Sequence, residues 1–349
     1  MNFLEKAGKN KKVYEDFFNR NSGKYILNVY AYMKSRSSGV ESYTLDDGWL
    51  NPECLLEKFV SKTYSTYYAG CAFPMHHMNL GSRLLAEMLG ADFYLTDKKI
   101  MFGKKQLLSD KTKSSPLRFN KDSFLFTALK KISEYFIENK ALVSLADFGM
   151  PVDVLETLRT TEDLKTDIVC DYNFVAETLN KISDYQSAAF SENCKILANQ
   201  NGYTSYIPLF SEKPYIVIKN EASAAFSKEL FLKLILPSVM KAAIRADRAV
   251  YAISSLEELK FLDIILSISK INAVAFYQNF EDGFIDLSSP AYMAAFKKIQ
   301  SAKKGLIISS VYPDDVQGLV ENLNHNALMI ETRCQSKKDA DQLLNDLKY

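Results

Sequence analysis

From Phe124 onward, short apolar runs alternate with amphipathic stretches at a regular pace. Phe124–Glu138 carries apolar residues at helical spacing, and Ala141–Ala146 is a short apolar run that ends at Asp147. Pro151–Arg159 and Glu162–Cys170 read as two short helices, Tyr172–Asn199 as a long one. Strands are expected at Thr204–Leu209, Pro214–Lys219, Ala249–Ile253, Ala273–Gln278, Gly305–Val311 and Ala327–Thr332. Between and after them come helices at Ser227–Ala246, Leu256–Ile268, Pro290–Ala302, Pro313–Leu323 and Lys337–Leu347. Ser227 supplies an N-cap, with Glu229 near the helix start.

The first 120 residues are less regular. Val13–Phe18 reads as a short helix with an aromatic face, and Tyr25–Tyr32 has strand composition. Asn51-Pro52-Glu53 is a helix start, with Asn51 as cap and Pro52 in the first turn. That helix is expected to reach about Tyr68. A loop of unusual side chains follows, from Ala72 through His76 and His77 to Gly81.

Strands alternating with helices imply a parallel sheet covered by helices. The strands are apolar without alternation, as when both faces are buried. An open doubly wound sheet usually carries a glycine-rich phosphate loop; neither G-x-G-x-x-G nor G-x-x-x-x-G-K-[ST] occurs. The expected fold is therefore α/β, a closed TIM (β/α)₈ barrel with an N-terminal helical extension. One domain is expected over 1–349, with 1–120 as cap and first barrel elements and 121–349 as regular βα repeats.

Composition narrows the function classes. The 43 basic and 42 acidic side chains nearly cancel, which argues against a nucleic-acid protein. Lys98, Lys99, Lys104, Lys105, Lys111 and Lys113 form a local basic cluster that reads as a solvated loop, and Lys104–Asn120 is the expected flexible segment. Five scattered cysteines, with no C-x-x-C, are not a disulfide framework. No signal-peptide core and no apolar run of spanning length occurs, so a cytoplasmic protein without membrane attachment is expected.

In a barrel of this kind, chemistry sits at the C-terminal ends of the strands. Asp147 closes one such strand and is a candidate acid, base or cation anchor; a loop hydrogen bond is the plainer role. Asp153 is a second catalytic candidate, although a carboxylate in a first helical turn is also favoured by the helix dipole alone. Arg159 could bind an anionic substrate through its planar fork, or pair with Glu156 or Asp163. His76 and His77 are candidate acid/base groups, but adjacent imidazoles diverge on regular structure and make poor joint metal ligands. Phe73 and Met75, near them, would suit a flat ligand, and equally a core lid.

Several segments together resemble the uroporphyrinogen decarboxylase superfamily, with corrinoid-linked methyltransferases as relatives. They are Gly48–Glu53; Ala72-Phe73-Pro74 with Asn79-Leu80-Gly81; Leu145-Ala146-Asp147 with Val152–Arg159 and Glu162-Asp163-Leu164; Glu221–Phe231 with Leu236-Pro237; Tyr251–Asp263; and Thr332-Arg333-Cys334 leading into Ala340–Leu344. The resemblance implies a TIM barrel with a funnel at its C-terminal face, and sets Asn220, Tyr251 and Ser254 on the substrate-binding rim. Asn220 stands where relatives commonly have Asp. Ala252 and Ser254 stand where relatives carry His, Asp or, in zinc methyltransferases, a His-x-Cys pair. Neither binds zinc as imidazole or thiolate does, so no metal and no cofactor are expected, and Cys334 reads as a small buried hydrophobe. Two functions compete. One is a metal-independent lyase or transferase acting on a carboxylated or tetrapyrrole- or corrinoid-type substrate. The other is a degenerate barrel that binds a tetrapyrrole, a corrinoid protein or another partner without turnover. Many relatives dimerise, which leaves a homodimer open.

Overall fold

The structure is a computed structural model that describes residues 8–33, 50–95, 100–102, 107–108, 117–277, 287 and 289–349. Trp49 and the six clustered lysines lie outside the described residues, as does most of Lys104–Asn120. The chain begins with α1 (Lys11–Asn19) and β1 (Ile26–Tyr32). Helix α2 (Pro52–Tyr64) starts as its sequence dictates: Asn51 accepts from the amides of Glu53 and Cys54 at 3.0 and 3.1 Å. It stops at Tyr64 rather than near Tyr68, because Thr66–Gly70 leaves the helix as strand β2. Threonine and two tyrosines in a row favour that extended course.

Helix α3 (Leu84–Met88) precedes a small hairpin of β3 (Phe93–Leu95) and β4 (Ile100–Phe102). Then come α4 (Phe124–Glu138), α5 (Pro151–Leu158), α6 (Thr161–Cys170) and α7 (Tyr172–Leu197). Strand β5 (Tyr215–Ile218) leads to α8, which runs Lys228–Leu230, Phe231–Ile235 and Leu236–Arg245. Its middle turn is π-helical. Pro237 has no amide to reach back, and the widened turn accommodates that. Strand β6 (Arg248–Ile253) feeds a 3₁₀ stretch, Leu256–Phe261, and α9 (Leu262–Ser267). The remaining elements are β7 (Ala273–Tyr277), α10 (Pro290–Ser301), β8 (Gly305–Val311), α11 (Pro313–Asn322), β9 (Leu328–Cys334) and α12 (Lys337–Asp346).

These elements form a TIM-type α/β barrel. Its hydrogen-bonded sheet runs β2-β1-β9-β8-β7-β6-β5, parallel except for the antiparallel β1–β2 pair. The expected ring of eight regular strands is not fully zipped among the described residues. Ala141–Ala146 and Thr204–Leu209, expected as strands, are irregular: the first keeps a single bridge at Val143, and the second bends at Tyr206 and Ile207, where the Leu209 amide donates to Ile207 O at 2.7 Å. Residue 76 makes a parallel bridge to Val143: the His76 amide donates to Leu142 O at 2.8 Å, and the Ser144 amide to His76 O at 2.9 Å. Side chains then stand in for a neighbouring strand. Gln200 Oε1 accepts from the Val143 amide at 3.1 Å while its Nε2 donates to Val143 O at 3.0 Å. Asn193 Oδ1 accepts from the Ala146 amide at 2.9 Å. Buried backbone groups must be paired, and these amides pair them where the ladder stops.

Two apolar layers flank the staves. Outside, the covering helices pack on residues such as Leu27, Tyr251, Val274 and Ile330. Inside stand Ile26, Tyr215, Val250, Ala252, Ala273, Ala275, Ile307 and Met329. Tyr14, Phe17 and Phe18 of α1 join this inner cluster and plug the N-terminal end. A Cβ on Gly305 would meet the Phe17 ring at 2.8 Å, so glycine there permits the plug. Glu15 clamps it: Arg248 donates to Glu15 through Nη1 at 2.7 Å and Nη2 at 2.5 Å and lies 4.2 Å over the Phe18 ring. With that end sealed, the opening is at the C-terminal strand ends. No helix among the described residues is long and apolar enough to cross a membrane.

Candidate active site

Side chains alternate inward and outward along each stave, and that parity decides who meets the cavity. On β5, Tyr215 and Val217 point in, so Lys219 does as well. Tyr277 ends β7 on the inward parity, and Glu331 and Arg333 follow Met329 on β9. Together with Tyr30, Asp147, Tyr206, His76 and His77 they line a cavity of about 710 Å³ at the C-terminal mouth. Pockets of roughly 300–1,000 Å³ are the size that buries small-molecule ligands.

Five of the ten site residues expected from sequence line this cavity: Phe73, Met75, His76, His77 and Asp147. The other five lie elsewhere. Tyr251 has outward parity on β6 and is buried against the covering helices; Asn220 Nδ2 donates to its hydroxyl at 3.5 Å. Asp153 is buried behind the mouth, where Oδ1 accepts from the Ala222 amide at 3.0 Å. Ser254 donates through Oγ to Glu258 Oε1 at 2.8 Å. Arg159 pairs with neither Glu156 nor Asp163 but with Asp167 of α6, Nε to Oδ2 at 2.6 Å, and its Nη1 donates to Leu108 O at 2.5 Å. Sequence reasoning missed Lys219, Tyr206, Tyr277, Glu331 and Arg333. Strand parity carried to one residue beyond β5 would have found Lys219; nothing local marks Tyr206, which sits in an irregular segment.

The electrostatics of the mouth are those of a shielded, mixed-charge site. Burial pushes the Asp147 carboxyl up to about 6, against the pull of the Gly149 amide, which donates to Oδ1 at 2.9 Å, and of Lys219. Burial also pulls on Lys219, but Glu221, whose Oε1 is 2.5 Å from Nζ, outweighs it and holds the ammonium above its ordinary value. Lys219 also stands 5.8 Å over the Tyr277 ring. Burial, then His77, lowers the His76 imidazole to about 3; its ring lies 4.3 Å from Phe136. His77 turns the other way, 6.3 Å from Tyr206, and the enclosing protein and Lys62 lower it to about 4. Both rings are therefore neutral near pH 7. Across the cavity, burial raises the Glu331 carboxyl, and Arg333 Nη2 lies 3.8 Å from its Oε1. Chemically, the arrangement offers a carboxyl able to hold a proton into the neutral range, an ammonium and a guanidinium for anions, and neutral imidazoles.

The zinc set that the methyltransferase resemblance implies does not fit these residues. Ala252 brings no donor, Ser254 is engaged by Glu258, and Cys334 is buried among the covering helices on outward parity. Among the described residues, no three His, Cys, Asp or Glu side chains converge as a metal-ligand group.

No family model matches the chain, and no curated protein matches it. Among solved structures it is similar to a methyltransferase from Methanosarcina mazei, with a TM-score of 0.62 over 96% of this chain and 97% of that one. Sequence identity is 10%. At that level the likeness defines the class of fold, a TIM-type barrel shared with a methyltransferase, and nothing finer.

Proposed function

We propose that this barrel is a metal-independent lyase or transferase whose mouth takes a carboxylated small molecule of tetrapyrrole or corrinoid type. The observation that carries the reading is Asp147: a carboxyl at the end of a stave, in the wall of the large cavity, with its proton affinity raised to about 6. A group poised near neutrality can give a proton to a developing carbanion or take one from a nucleophile. Lys219 and Arg333 reach the same cavity and would hold substrate carboxylates, Arg333 through its planar fork. His77, neutral, would accept a hydrogen bond rather than act as a cation. Phe73 and Met75 would face the substrate's apolar body.

A second reading, a barrel that binds such a ligand without turnover, draws support from Asp153, Arg159, Asn220 and Tyr251. All four are engaged away from the cavity. One experiment separates the readings. A carboxylated porphyrin is titrated by absorbance into wild type and Asp147→Asn, and product carboxyl number and methylation are followed by mass spectrometry. The enzyme reading expects turnover in wild type and a loss of 10²-fold or so in the variant with binding kept. Binding without product supports the second reading. No binding of the porphyrin or of smaller polycarboxylates sinks both.

A further inference from the structure

Behind the main cavity lies a second, smaller chamber of about 40 Å³. It opens at the seam where the ladder is unzipped, between the irregular stave ending at Asp147 and strand β5. Leu145, Phe148, Phe190 and Val217 make its apolar wall. Three residues face both spaces: Asp147, Tyr206 and Lys219. They form the partition between them.

The Tyr206 hydroxyl is the odd member. It is buried and has no hydrogen-bond partner among the described residues. A buried phenol left unpaired loses about 1–3 kcal/mol, so an orphan hydroxyl beside a chamber that Asp147, Ser205 and Lys219 also line implies something there to receive it. The chamber is too small for a substrate and large enough for one water, which needs roughly 10–15 Å³ of free centre volume and two to four polar partners. Tyr206 can donate to such a water, and the water can donate to the Asp147 carboxylate.

We infer that the seam is a built water site, in which one ordered water accepts from Tyr206 Oη and donates to Asp147, making Tyr206 a positioning residue for Asp147. The link rests on the reading of Asp147 as the acid–base group, but the water site does not. A ligand filling the main cavity would displace bulk water from the front of Asp147, and the rear water would stay.

The test uses the full chain and water itself as probe. Oxygen-17 relaxation dispersion counts long-lived waters in wild type and in Tyr206→Phe, and carbon-13 NMR follows Asp147 through a pH titration. The inference expects one long-lived water fewer in Tyr206→Phe, an unchanged or higher Tm because no protein partner is lost, and an upward shift of the Asp147 midpoint by roughly one pH unit. Should Tyr206→Phe fail to fold, Val217→Leu fills the chamber with the phenol intact, and the same loss of one water is expected. An equal water count in wild type and variant overturns the site. A lost water with an unmoved Asp147 midpoint overturns the positioning role. Failure of the porphyrin experiment would leave both readouts intact, so the two proposals fall separately.

Discussion

Glu221 Oε1 lies 2.5 Å from Lys219 Nζ, so the cation that shares the partition with Asp147 arrives already paired. Burial is the first reason that the Asp147 carboxyl holds its proton up to about 6, and the pairing limits how far the ammonium offsets it. Burial raises it, Glu221 adds to the rise, and Lys219 can offset only part. Glu221→Gln removes the added repulsion and frees the ammonium, and both changes favour the carboxylate. The Asp147 midpoint should fall by roughly one pH unit in an NMR titration. An unmoved midpoint would mean that burial alone sets the value.

Arg159 and Asp167 make the second informative pair. Both are buried, at 6% and 1% exposure, so neither charge can be left alone. Asp167→Ala takes the counter-charge from a buried guanidinium and should destabilise the fold by about 3–5 kcal/mol in denaturant unfolding. Because Arg159 does not line the mouth, ligand affinity per folded molecule should be unchanged. A variant that folds normally but binds poorly would return Arg159 to the site.

Gln200 offers a test of the seam. Its amide pairs both backbone groups of Val143, the work a neighbouring strand would do. Gln200→Ala leaves a buried donor and a buried acceptor without it, and should reduce stability by about 2–4 kcal/mol. Hydrogen exchange at Val143 should quicken in step. Protection unchanged at that amide would show that the irregular stave is held by other means.

Most of the covering helices and the parallel staves were legible in the sequence because their patterns are long and locally consistent: Phe124–Glu138, Gly305–Val311 and the Asn51 cap need no tertiary information. The failures share one cause. Ala141–Ala146 and Thr204–Leu209 have strand composition, yet a strand also needs a partner: Gln200 and Asn193 supply it to Val143 and Ala146 from distant positions, and the Tyr215 hydroxyl bonds the carbonyls of Ile207 and Leu209. Two of the candidate site residues were lost to parity. Tyr251 and Asn220 sit near the correct rim but face the helices, whereas Lys219, one residue from Asn220, faces the cavity. Charge pairing at a distance, as between Arg159 and Asp167 on successive helices, leaves no reliable trace in spacing. Tyr206 could be found only from the fold.

Asp153 allows the pH dependence to be worked through with its sign. The residue is 4% exposed and burial raises its carboxyl to about 7, above the roughly 3.9 of an unfolded chain. Protonated Asp153 therefore stabilises the native state; that contribution is complete below about pH 4 and is lost as pH rises toward 7. Above that, the native state carries a buried carboxylate that the unfolded state hydrates freely. Asparagine keeps the oxygen that accepts from the Ala222 amide and cannot ionise. Asp153→Asn should then be close to neutral at about pH 5 and stabilising by something on the order of 2 kcal/mol at about pH 8. Urea unfolding of both proteins at the two pH values measures the difference. His76, lowered to about 3, acts in the opposite sense, destabilising the native state as pH falls below about 6.5. It is present in both proteins, so it cancels in the comparison. A stability gap between wild type and Asp153→Asn that does not widen with pH would mean that the carboxyl ionises normally inside the fold, with water reaching it behind the mouth.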